Sequence, residues 1–165
     1  MSQGSVWYPP LGSYVVVNTR GLGAVVIRKF THSWADHAVI VTDDVGGIVE
    51  AMPSGVRRGH LAEYAGRRTA VCTEGALSQR EQVAAAALGM VGTPYDDLDL
   101  VDIGLECIGI RWGWLQQLVE KQHSLICSQA VSKCGQIGGL DWSCGQTDLA
   151  QVTPAMLARR IQVAR

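Results

Sequence analysis

The chain has 165 residues, with 14 Lys and Arg against 15 Asp and Glu, and 47% of it is hydrophobic. That length suits one domain with a full core of its own, here expected over 1–165. A near-neutral charge without a basic patch excludes a dedicated nucleic-acid surface, and no acidic tail is present.

No stretch reaches the ~20 apolar residues of a membrane helix, so no integral membrane segment is expected. The start, MSQGSVWYPPLGS, lacks the basic residues and apolar run of a signal peptide. The expectation is a soluble protein made in a cytosol. Five cysteines, Cys72, Cys107, Cys127, Cys134 and Cys144, are an odd number, which argues against a disulfide framework. No Cys/His cluster has zinc-ligand spacing, so neither a metal nor an organic cofactor is expected.

In chain order, Ser13 to Asn18 is short and β-branched, a strand. Gly21 to Phe30 reads as strand or helix, with Leu22, Val25, Val26 and Lys29 at helical spacing favouring helix. His37 to Thr42 is a continuous apolar strand, as expected for one covered on both faces. The turn residues Asp43 to Gly47 lead to a second strand, Ile48 to Met52, ended by Pro53-Ser54-Gly55. A further strand follows at Arg68 to Thr73. Ser78 and Glu81 form a capping box that opens a helix over 79–90. Further helices are expected over 98–105, 112–121 and from Cys127 to about Lys133. A last one starts at Pro154, behind the N-cap Thr153. Strands first and helices afterwards predict an α+β domain, a small antiparallel sheet packed against helices.

Two segments carry the chemistry. Ser124-Leu125-Ile126-Cys127-Ser128-Gln129 places a thiol at a helix start, where unpaired amides and the helix dipole favour negative charge. The plain alternative is one more buried apolar residue beside Ile126, Ala130 and Val131. Asp36-His37-Ala38-Val39 places an imidazole at a strand start, the best-placed base among His32, His37, His60 and His123. Glu50 stands among Ile48, Val49, Ala51 and Met52, and a carboxylate in an apolar strand needs a partner. Pairing across the 43–47 turn brings it near His37, where it would orient the imidazole; an edge-strand Glu in solvent is the alternative. Asp36 is the weaker carboxylate candidate. Trp34 and Tyr95, with Ser128 beside the thiol, are candidates to line a substrate cleft. The acidic run Asp96, Asp97, Asp99 and Asp102 matches no EF-hand spacing.

Taken together, Ser33-Trp34 with Asp36 to Val41, Gly47 to Val56, Gly92-Thr93-Pro94-Tyr95-Asp96, and Ile126 to Val131 followed by Gly138 resemble the circularly permuted branch of the NlpC-type papain-like cysteine peptidases and amidases. The resemblance implies a papain-like fold with Cys127 as nucleophile, His37 as base and Glu50 as the orienting residue. It implies a thiol hydrolase that cleaves amide bonds through a thioester, with peptide or amide substrates and, first among them, the peptidoglycan of a bacterial cell wall, in remodelling or phage lysis. It departs from the family's pattern at Gly12-Ser13, where Gly-Asp is usual, and at Ile126, where a tyrosine often precedes the cysteine. The alternatives are a lipid acyltransferase or esterase on the same scaffold, with an acyl groove over 100–118, and a catalytically silent binding or virion module.

Overall fold

The computed structural model describes residues 7–52, 54–93 and 124–163. The helices expected over 98–105 and 112–121, the acyl groove and Tyr95 lie outside the described residues. Five strands, β1 (Tyr14–Val17), β2 (His37–Val41), β3 (Gly47–Met52), β4 (Gly55–His60) and β5 (Thr69–Cys72), form one antiparallel sheet in the order β4-β3-β2-β1-β5. Helices α1 (Leu22–Thr31), α2 (Leu77–Gly89), α3 (Ser124–Ile137) and α4 (Pro154–Val163) complete the described α+β fold.

The apolar runs of β1 and β2 follow from a sheet covered on both faces. Successive side chains alternate between faces. Tyr14, Val16, Ala38, Ile40, Val49 and Ala51 pack into one core with Val83 and Ala87 of α2, Val131 of α3 and Leu157 of α4. Val15, Val17, Val39, Val41 and Ile48 form a second cluster, closed by Leu61 and Tyr64 of a 3-10 turn after β4.

Three boundaries differ from expectation, each for a local reason. The chain does not leave the sheet at Gly55: it turns there, at φ +108°, and returns as β4 in full register with β3. As an edge strand, Gly-Val-Arg-Arg-Gly-His carries charge and lacks an apolar pattern. Helix α2 starts at Leu77, and Gln79 Oε1 accepts the Ala76 amide at 3.0 Å, so the capping role falls two residues before the expected Ser78 and Glu81 pair. Helix α3 runs past Lys133 to Ile137. Its Gly135 has a packing role, since a Cβ there would meet the Trp142 ring at 2.5 Å. Helix α4 begins as expected, with Thr153 Oγ1 accepting from the Met156 amide at 3.3 Å.

Leu157 is fully buried, whereas Leu22 on α1 is 85% exposed. Leu157→Ala is expected to lower unfolding free energy by about 3 kcal/mol, and Leu22→Ala by less than about 0.5 kcal/mol. Urea unfolding of the two variants checks this; equal losses would contradict the assigned core.

Candidate active site

His37 opens β2, paired with Val17 of β1, and is 4% exposed. Glu50 lies within β3 and is 2% exposed; Cys127 lies in the first turn of α3 and is 1% exposed. Helix α3 packs on β2 and β3, which brings the three elements together.

His37 Nε2 is 2.7 Å from Glu50 Oε2. Cys127 acts on the same imidazole through its charge and a side-chain hydrogen bond. Burial disfavours the imidazolium, but the charge and hydrogen bond of Cys127, then those of Glu50, outweigh it and raise the His37 pKa to about 10. Burial likewise disfavours the Glu50 carboxylate, but the hydrogen bond and charge of His37, the Tyr64 hydroxyl and the Arg57 charge hold its pKa below the ordinary value. Tyr64 donates its hydroxyl to Glu50 Oε2, the oxygen that faces His37. Arg57 Nη2 is 2.6 Å from Glu50 Oε1, outside hydrogen-bond angles, so that contact is an ion pair without a directed bond.

The structure thus brings Cys127, His37 and Glu50 together, and adds Tyr64 and Arg57. The strand pairing of Glu50 with Arg57 was hidden by the missed β4; Arg57-Arg58-Gly59-His60 reads as a solvated segment until β4 is placed. Tyr64 has no sequence signal beyond being an aromatic after a polar stretch.

The remaining candidates go elsewhere. Asp36 is buried but accepts from the Thr19 amide at 2.9 Å and pairs with Arg28, which anchors the start of β2. The Ser128 hydroxyl donates to the Val152 carbonyl, tying α3 to the chain before α4. The half-buried Trp34 packs on the core, with the Arg68 guanidinium 4.4 Å from its ring centroid. His60 Nδ1 accepts the Ala62 amide at 3.1 Å and its Nε2 lies 2.9 Å from the Val45 carbonyl, so it anchors the 3-10 turn. Cys72 and Cys134 are buried apolar residues, and burial pushes their thiols up to about 11 and about 12.

No protein-family model matches the chain, and no curated protein matches it. Its fold is similar to the crystal structure of metalloprotein yiiX from Escherichia coli O157:H7, a DUF1105 protein, with a TM-score of 0.53 and 23% identity. The match covers 79% of this chain, which spans 66% of the length of that one. This corrects the family read from the sequence: the likeness leads to a DUF1105 protein and not to the NlpC-type peptidases. Three of the four segments behind that resemblance are short apolar strands and a helix start around single polar residues, and residues 94–96 of the other lie outside the described residues. Segments this short fit any site that joins a helix to a sheet in this way.

The shifts at His37 and Glu50 set a pH window for stability. The raised His37 pKa contributes fully below its ordinary value of 6.5, and the contribution is lost as pH rises through about 10. The lowered Glu50 pKa contributes fully above 4.5 and is lost as pH falls through its folded value. The gap in urea midpoint between the native chain and Glu50→Gln is expected to be widest between about pH 4.5 and 6.5 and to narrow on either side. A gap independent of pH would contradict the coupling.

Proposed function

We propose that this chain is a thiol hydrolase that cleaves amide bonds through a thioester, with Cys127 as nucleophile and His37 as base. The carrying observation is the single polar chain Cys127–His37–Glu50, in which the imidazole lies between a thiol and a carboxylate. The finer description of the fold as papain-like belongs to the same proposal, since a helix-borne cysteine meets a sheet-borne histidine.

His37 holds the Cys127 proton as an imidazolium before the sulfur attacks the amide carbonyl. It returns that proton to the leaving amine, giving a thioester and a free amine. It then takes a proton from water, which attacks the thioester, releases the acid and restores the thiol. Glu50 stabilises the imidazolium in the charged steps. The N-terminal turn of α3 lends its dipole to the developing negative charge. Stem peptides of peptidoglycan are the first substrates to try.

The cavity against Cys127, lined by Ala38, Ile40, Val56, Ala87 and Met90, is only about 10 Å³. A metal-based reading, taken from the name of the yiiX protein, does not fit the donors in place. Nε2 of His37 is engaged by Glu50, and no group of three or more His, Cys, Asp or Glu among the described residues could hold a metal ion.

An activated-ester probe is expected to acylate Cys127, read by intact mass and peptide mapping. His37→Ala should slow that acylation, and the release of amine from stem peptides, at least ~10³-fold. Acylation that ignores His37, or amide cleavage that survives Cys127→Ala and is lost to a chelator, would overturn the proposal.

A further inference from the structure

We propose that Tyr64 and Arg57 are positioning residues of this site, clamping the Glu50 carboxylate in the orientation that holds His37 against Cys127. The inference rests on the reading of Cys127 and His37 as nucleophile and base, and extends the site outward to the edge strand.

Three side chains from three separate elements converge on one buried carboxylate, two through hydrogen bonds and one through an ion pair. His37 comes from β2, with Nε2 2.7 Å from Oε2. Arg57 comes from β4, where the β3–β4 register sets it directly opposite Glu50, with Nη2 2.6 Å from Oε1. Tyr64 closes the 3-10 turn after β4 and donates to Oε2. Two hydrogen bonds on Oε2 and an ion pair on Oε1 engage both oxygens and leave the carboxylate one orientation. Rotation of the carboxylate about its terminal bond would break at least one contact and release the imidazole.

The clamp is itself braced. The same Arg57 Nη2 lies 2.7 Å from Glu63 Oε2, and Glu63 Oε1 accepts the His60 amide at 2.9 Å. Space is kept for the carboxylates: a Cβ on Gly59 would stand 3.0 Å from both Glu50 Oε1 and Glu63 Oε1. Burial and the neighbouring Glu50 raise the Tyr64 pKa, so its hydroxyl stays protonated and remains a donor. Among the described residues, the titratable groups set against Glu50 are His37, Arg57 and Tyr64, with Glu63 behind Arg57 and Cys127 behind His37.

A latch that serves only the fold predicts a loss of stability and nothing else. A positioning role predicts a change in the protonation of the site. The test is the pH profile of iodoacetamide alkylation at Cys127, mapped by peptide mass spectrometry, in the native chain and in Tyr64→Phe, Arg57→Gln, Arg57→Lys and His37→Ala. Tyr64→Phe keeps the ring in its apolar cluster and removes only the hydroxyl. The Arg57 side chain is 42% exposed, so its replacement reads the clamp without opening the core. With the Tyr64 hydrogen bond or the Arg57 charge gone, Glu50 binds its proton more readily. The acid limb of the profile is then expected to move up by about one pH unit in Tyr64→Phe and in the same direction in Arg57→Gln. Arg57→Lys should recover part of the shift. Profiles of Tyr64→Phe and Arg57→Gln that superimpose on the native one, while His37→Ala abolishes the limb, overturn this inference alone. A His37→Ala profile equal to the native one overturns the nucleophile and base reading itself.

Discussion

A carboxylate buried in the middle of a strand is the constraint from which the rest of this site follows. Glu50 is 2% exposed and carries a charge that burial alone would suppress. Removing a carboxylate from water costs several kcal/mol unless cations and donors surround it. The chain meets that cost locally. The hairpin of β3 and β4 delivers Arg57, the next turn delivers Tyr64, a glycine at 59 leaves room for the oxygens, and β2 delivers His37. The edge strand is polar because it serves the carboxylate, and that is why it does not look like a strand.

The consequence reaches the chemistry through His37. A buried imidazole on its own is pushed towards the neutral form. With Cys127 on one side and Glu50 on the other, it is held towards the charged form instead. Such an imidazole holds the proton taken from the thiol, keeps it near the reacting bond and passes it on to the leaving group. Its frame is held by contacts away from the polar chain. Asp36, one residue earlier, is tied to Arg28 and Thr19, which fixes the start of β2. On the far side of the fold, Arg160 of α4 makes two hydrogen bonds to Glu74, at 2.6 and 2.8 Å, and Trp142 Nε1 donates to the same carboxylate at 3.2 Å. That second ionic cluster locks α4 beside β5.

Much of the frame was legible in the sequence, and the reasons are particular. β1 and β2 are apolar on both faces because both faces are covered, and a run such as Val15-Val16-Val17 has no other use. Glu50 drew notice because a charge between Val49 and Ala51 needs an explanation. What escaped depends on pairing at a distance. Arg57 acquires its meaning only from lying across the ladder from Glu50, and Tyr64 only from the turn that follows. The capping of α2 by Gln79 was displaced by two residues because the expected Ser78 lies inside the helix. The resemblance to a peptidase family came from the same short segments that build the site. Segments of that length record what the geometry requires, and the structural likeness found leads to a DUF1105 protein instead.

The measurement that tests the account most directly is a ¹⁵N nuclear magnetic resonance titration of the His37 imidazole, in the native chain and in Cys127→Ala and Glu50→Gln. The account predicts an imidazolium that persists through neutral pH and loses its proton well above the ordinary ~6.5. It also predicts that each variant lowers that value. A His37 ring that titrates near ~6.5 in the native chain, unmoved by either variant, would contradict the coupling on which the site is built.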